Sequence, residues 1–491
     1  MEQTKTEQQI RNERIQKLNM IKDAGVDPYP AKSKRTNYNA DITKSFKSFN
    51  NKKVTVVGRV MSLRTHGRIS FATIKDFSGE IQLAFKEDTL GKENYKFLRR
   101  FDMGDFIEAT GKVFKTKAGE ISVDVSGFTM LTKSLKPLPE KFHGLKDEEL
   151  KLRKRYLDIL LDDEVKEMVI KKSKFWQTMR NFLISEGFLE VETPAIETTT
   201  GGADARPFSS HHHALDMDVF FRISCGELWQ KRLMVAGLEK TFEIGRIFRN
   251  EGMSHEHLQD YTQMEFYWGY SDYEKGMKLI EKLYKTLAKE TFGTLKFEIG
   301  KFKVDLGKKW EIYSYPEIIK RKTKVDIKKA DLKTIEAKLK ELKIEFDKKG
   351  LNKSRATDLL WKYCRKSIAG PGFLIDVPVE IEPLAKRKTD DPETVQRFQV
   401  IIAGSEVGKG YSELNDPIDQ ADRFKAQQAL RDAGDEEAQM NDAEFVEALE
   451  YGMPPTFGFG VSERLFAFLT NKPVRETQIF PLMRPLEKKK K

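Results

Sequence analysis

Between Val54 and Lys133 five short apolar-rich runs, alternating with polar residues over part of their length, read as strands, and that pattern constrains the fold more than any other feature of the chain. The runs are Val54–Met61, Ile69–Lys75, Glu80–Phe85, Asp105–Phe114 and Glu120–Val125, punctuated by Gly67, Gly79 and Gly119. Such alternation marks strands with one buried face. A helix-like piece, Glu93–Arg100, falls between the third and fourth runs. Five strands within about 80 residues predict a small closed β-barrel.

Charge supports a nucleic-acid role for this region. The chain of 491 residues carries 87 Lys+Arg and 76 Asp+Glu, a net charge of +11. Residues 1–150 hold 28 basic and 20 acidic side chains; within 31–70 there are ten basic residues and one acidic. A basic segment on a nearly neutral body suits a polyanion partner, although a Lys-rich solvated surface has the same composition. The strand order is that expected of an OB-fold, whose open face commonly binds single-stranded nucleic acid.

The barrel segment, residues 51–135, follows a leader of residues 1–50. In that leader Glu7–Ala24 is helix-compatible, Gly25 ends the helix, and Asp27-Pro-Tyr-Pro30 breaks the chain again. Leu135-Lys-Pro-Leu-Pro139 opens a linker over 136–150. Beyond it, Glu148–Leu161 and Glu164–Glu186 show helical spacing, and strands and helices then alternate to about 486. The expected class is therefore α+β. Lys-rich residues 321–366 read as an amphipathic helical insertion with a solvated face, and 487–491 form a Lys tail. No stretch approaches the roughly 20 apolar residues of a membrane helix. Only Cys225 and Cys364 are present, which excludes a disulfide framework and a multi-cysteine zinc site and points to a cytoplasmic setting. No phosphate-loop signature occurs. The triplet His211-His-His213 is a poor metal site, because consecutive side chains diverge and no second cluster accompanies it.

The densest polar constellation runs from Thr241 to Tyr267 and reads strand, loop, strand. Phe242 and Ile244 alternate before the loop, and Met264, Phe266 and Trp268 after it. Arg249, Tyr261, Glu265 and Tyr267 then share the opposite face, offering a bidentate cation, an aromatic plate and an anion together. In a second constellation, Glu406 to Asp416, Tyr411 and Glu413 lie on one strand face and Glu406 suits a divalent metal. In a third, Gly458-Phe-Gly-Val-Ser-Glu-Arg464, glycines permit close approach before a helix that starts at an arginine suited to phosphate.

In this order the three resemble the motifs of class II aminoacyl-tRNA synthetases, and within that class the lysine-specific group. Gly187-Phe-Leu-Glu-Val-Glu-Thr-Pro194 resembles the first motif, Phe248-Arg249-Asn-Glu251 opens the second and Arg464 closes the third. Lys141-Phe-His-Gly-Leu145, Arg153–Asp158, Gly201–Phe208 and Ser412–Asp416 carry the lysine-specific flavour. The resemblance spans Asp27 to Pro485.

The resemblance implies ATP-driven activation of L-lysine followed by transfer to tRNA, with an antiparallel catalytic sheet over 151–486 and a homodimer joined through the first motif. It implies that Arg249 bridges the substrate carboxylate and the α-phosphate, that Arg464 holds the γ-phosphate, and that Mg2+ sits with Glu406, Gln399 and Glu413. Tyr261 takes the place of the adenine-stacking aromatic, with Glu251 and His257 on the nucleotide. Gly202, Glu227 and Glu265 take the α-ammonium, Glu413 and Tyr267 take the ε-ammonium end, and Tyr411 is a further lysine-binding residue. Burying lysine without Glu413 leaves an unpaired charge, a cost of about 3–5 kcal/mol. On the barrel, Phe71 and Gln82 are the candidates for the middle anticodon base, Glu120 for a neighbouring base, and Arg64 and Arg68 for phosphates. The chain departs from the pattern at Gln399, where a metal-binding glutamate is usual, and at Lys409, where an asparagine is usual. Lys409 has Glu406 and Glu413 as possible partners, or points away. The rival readings are an aspartate- or asparagine-specific relative, which Glu413 opposes, a protein-lysylating paralogue, which the barrel opposes, and a non-catalytic RNA-binding relative.

Overall fold

The computed structural model describes residues 5–139, 147–252, 257–347, 351–434 and 438–486. The Lys141–Leu145 motif, part of the 136–150 linker and the tail from 487 lie outside them. The chain divides into two compact units, Met1–Lys151 and Leu152–Lys491.

In the first unit, helix α1 (Glu7–Asp23) starts at a Thr6 capping box closed by Gln9. The strands are β1 (Lys53–His66), β2 (Ile69–Lys75), β3 (Glu80–Lys86), β4 (Phe106–Lys115) and β5 (Ile121–Thr132), closed in the order β1-β2-β3-β5-β4. Val56, Ile74, Leu83, Phe85, Ala109 and Val123 fill the barrel, as the alternation requires. β1 and β5 run beyond the apolar alternation because their far ends are held by pairing, not burial: Arg64–His66 are exposed yet paired with Ile69–Phe71. The leader is no loose appendage. Ile21 and Ile42 sit in the barrel's own core, and the buried Arg14 donates to the carbonyls of Met103, Ser134 and Lys136.

The second unit is built on an eight-stranded sheet. Its strands in chain order are β6 (Leu189–Glu190), β7 (Lys240–Phe248), β8 (Asp260–Gly269), β9 (Glu311–Ser314), β10 (Gly372–Ile375), β11 (Arg397–Ile402), β12 (Ser405–Ser412) and β13 (Thr456–Ser462). The spatial order is β9-β10-β11-β12-β13-β8-β7-β6, antiparallel except for the outermost pair at each edge. One face carries Phe242, Met264, Phe266, Phe398, Phe457 and Phe459 and is covered by helices α2 (Asp163–Ser185) and α3 (Tyr273–Leu287), which supply Phe175, Met179, Leu283 and Tyr284 to the same core. Because side chains alternate along a strand, the residues between these phenylalanines all point to the opposite face, where the cavity lies. The region of the expected insertion holds three helices, Tyr315–Thr323, Leu332–Glu341 and Lys353–Arg365, so it begins a few residues before 321. Their buried residues, Ile319, Ile335, Leu339, Leu360 and Trp361, form a second core with Tyr267 and Tyr411.

Candidate active site

Strand register builds the site. Glu265 on β8 faces Gly460 on β13, which faces Lys409 on β12, which faces Gln399 on β11. One pleat along, Tyr267 faces Gly458, Gly458 faces Tyr411, and Tyr411 faces Arg397. The two glycines make the centre of the sheet bare. A Cβ at position 458 would lie 2.0 Å from Glu413 Oε1 and 2.7 Å from Tyr267 Cε1, so only glycine lets these two side chains close over the strand.

Above this floor lies a cavity of about 1780 Å3. Of the expected residues, Gly202, Glu227, Arg249, Glu251, Tyr261, Glu265, Tyr267, Gln399, Glu406, Tyr411, Glu413 and Arg464 all line it. His257, expected on the nucleotide, is exposed and is not among the described lining residues.

At the end expected to take the amino acid, Glu265 is buried, accepts from the Cys225 N–H at 2.9 Å and from the Tyr267 hydroxyl at 3.2 Å, and pairs with Gln263. Burial, reinforced by the Glu227 carboxylate, raises its carboxyl to about 7. Gly202, at φ +87°, packs against Glu227; a side chain there would meet Glu227 Cβ at 2.7 Å. Glu227 accepts from the Tyr411 hydroxyl at 2.5 Å. The sequence pattern assigns Glu227 and Glu413 to opposite ends of the substrate, yet one ammonium joins them. Lys231 Nζ lies 2.8 Å from Glu227 and 2.5 Å from Glu413. Glu413, expected among the metal ligands, therefore faces a cation of the chain itself. Burial pushes its carboxyl well up, and Lys231 opposes that shift.

At the end expected to take the nucleotide, the Arg249 guanidinium stands 5.9 Å from the Tyr261 ring centre and donates to the Ile223 carbonyl. Arg464 begins helix α4 (Arg464–Leu469) directly after β13. Glu406 accepts from the Trp361 indole N–H at 2.6 Å, so a helix of the insertion region holds the expected metal carboxylate. Gln399 accepts from Arg397, which also pairs with Glu382. Of the alternatives open to Lys409, it takes neither Glu406 nor Glu413 and lies 3.3 Å from Glu382. Among the described residues no three His, Cys, Asp or Glu cluster as a metal cage.

Lys231, Trp361, Glu382 and Arg397 are absent from the expected set. Lys231 had a visible signal, four residues after Glu227 on a helix. Trp361 had a weaker one: an indole on a buried helix face needs an acceptor. Glu382 carried none, since it caps a three-residue 3-10 turn, Val379–Ile381, with no periodic pattern around it.

On the barrel, Arg64, Phe71 and Ala84 are paired in one row and Thr73, Gln82 and Ser122 in the next, with Ala84 and Ser122 buried. Phe71 is half-buried and outside the barrel core, Arg64 and Glu120 are exposed, and Gln82 accepts from the Ser122 hydroxyl at 2.8 Å. Arg68 pairs with Asp88 at 2.7 Å.

Residues 147–484 match the family model of tRNA synthetases class II (D, K and N), and residues 54–131 that of an OB-fold nucleic acid binding domain. The chain belongs to the class II tRNA synthetases of the D, K and N group. This class II synthetase is 45% identical over 478 residues to the lysine–tRNA ligase of Thermoanaerobacter sp. (strain X514), covering 96% of this chain and 95% of that one. It is 42% identical over 487 residues to the lysine–tRNA ligase of Thermosipho africanus, covering 97% and 96%. With that of Bacillus subtilis (strain 168) it shares 41% over 481 residues, covering 96% of each. No helix of the synthetase, among the described residues, is long and apolar enough to cross a membrane.

Proposed function

We infer that this synthetase is a lysine–tRNA ligase, forming lysyl-adenylate and pyrophosphate from L-lysine and ATP and then transferring lysine to the terminal ribose of its tRNA. The observation that carries the reading is the set of buried carboxylates, Glu227, Glu265 and Glu413, on one cavity with Arg249. A substrate with an ammonium at each end answers such a set; an acidic or amide side chain does not.

The reaction brings the lysine carboxylate onto the α-phosphate, so two anions must be held together. Arg249 is suited to bridge them, Arg464 to hold the outer phosphate, and Tyr261 to stack on the base. No protein nucleophile is required: positioning and charge supply the rate. Glu406 fits magnesium as one partner in a site completed by phosphate oxygens and water, which is how this ion usually binds. The amide of Gln399 is a weaker ligand, and its oxygen is engaged with Arg397. When bound with the nucleotide, the ion neutralises phosphate charge; the residues around it orient the phosphates and exclude water.

For the tRNA, the row of Arg64 and Phe71 beside Gln82 supports anticodon binding, with Phe71 stacking, Gln82 pairing with a base edge, Arg64 on phosphate and Glu120 on a neighbouring base. Ile184, Leu189 and Ile196, each more than half exposed around the first motif, support a homodimer through that face. The setting is the cytoplasm.

Pyrophosphate exchange against all twenty amino acids tests the reading. Exchange with lysine alone is expected. Exchange with aspartate or asparagine would overturn the pocket assignment and keep the class.

A further inference from the structure

Lys231 is a fully enclosed ammonium behind the cavity wall, and the reaction as assigned does not use it. It lies on the helix Glu227–Val235, with Tyr267, Tyr411 and Phe445 ring centres 6.0, 5.6 and 5.9 Å from Nζ. The wall in front of it is formed by Glu227, Tyr267, Tyr411 and Glu413, which do line the cavity. Burying an ammonium is costly, and an apolar side chain of similar volume often stabilises a fold as well or better. Structure alone therefore gives little reason for a lysine here.

Charge gives one. Glu227, Glu265 and Glu413 are all buried around the amino-acid end. Lys231 is paired with two of these three carboxylates. Arg249, at the cavity, answers the carboxylate of the incoming amino acid. With all three carboxylates ionised the pocket is then short of two positive charges, and L-lysine carries the two ammonium groups that hold them in that form. Resting on the lysine–tRNA ligase reading, we propose that Lys231 is a positioning residue that sets the charge balance of this pocket, so that the remaining deficit matches a diammonium amino acid. The carboxyls agree: burial raises both Glu265 and Glu413, and neighbouring carboxylates raise them further, as in a cage lacking cations. Remove Lys231 and the deficit becomes three, one more than lysine supplies. Remove Glu227 as well and balance returns.

This predicts opposite effects of one substitution in two backgrounds, which a merely structural role does not produce. Lysine KM, ATP KM and kcat are measured by pyrophosphate exchange for the wild type, Lys231→Met, Glu227→Gln and the double variant, with thermal melting as the check on folding. Lys231→Met is expected to raise lysine KM about 100-fold, in line with an uncompensated buried charge, with ATP KM within about threefold. In that background Glu227→Gln is expected to recover about tenfold, although alone it raises lysine KM. If Lys231→Met does not fold, the double variant must still bind lysine about fivefold more tightly than Glu227→Gln alone. An unchanged lysine KM in Lys231→Met, a loss shared equally by ATP, or a double variant worse than either single one overturns the role of Lys231. Absence of lysine-dependent exchange in the wild type would instead overturn the ligase reading.

Discussion

Glu265 shows how burial turns one side chain into a reporter of its site. Its carboxyl is enclosed with Glu227, Tyr267, Gln263, Cys225 and Arg249 around it, and desolvation first, then Glu227, raises it to about 7. Near neutral pH the empty pocket thus holds Glu265 partly protonated. On the proposed assignment of Glu265 to the substrate ammonium, that charge favours the ionised form and lysine binding expels the proton. The sign follows. Below about 7 the proton must first be removed and lysine binds more weakly; above it the carboxylate is ready. Lysine KM should therefore rise as the pH falls from about 8 to about 6, by up to about tenfold per unit below the midpoint, without a matching rise in ATP KM. A flat lysine KM over that range would refute the assignment of Glu265 to the ammonium.

At the scale of elements, β13 and the helix Lys353–Arg365 do unlike jobs for one site. β13 contributes absence: Gly458 and Gly460 let Tyr267, Glu265 and Glu413 close over it. The helix contributes contact. It buries Ala356, Leu360, Trp361 and Cys364 on one face, and from that face the indole reaches Glu406. Trp361→Phe keeps the packing and deletes one hydrogen bond to a charged acceptor, a loss of about 1.5–3 kcal/mol where the bond is fully formed. Its kcat in lysine-dependent exchange should fall about tenfold and its magnesium requirement rise, with lysine KM unchanged. Unaltered kcat would mean that the helix is only a cover.

For the whole molecule, each of the two units has its own core: the barrel core includes Ile21 and Ile42 from the leader, and the sheet has separate apolar cores on its two sides. Activation of lysine needs only the second unit's cavity, whereas charging needs the tRNA to be recognised. Phe71→Ala removes an outward ring from the barrel without opening its core. Lost base stacking of about 1–3 kcal/mol should raise KM for tRNA tenfold or more in aminoacylation. Exchange measured without tRNA is the reference. Equal loss in both assays would show that Phe71 supports the fold and not the anticodon.

Much of this was legible in the chain because local periods report faces. Alternation placed the barrel strands and put Glu265 and Tyr267 opposite Met264 and Phe266, since a strand has only two sides. The order of three motifs identified the class, and with it a cavity shared by residues as distant as Gly202 and Arg464. Partnership was decided only by the tertiary structure. Lys409 meets Glu382, Glu406 meets Trp361, and Glu227 and Glu413 meet across Lys231. A one-dimensional pattern says which face a side chain takes; which charge it meets depends on strand order and helix placement. Burial then makes that meeting matter, because in low dielectric an unmatched charge is costly.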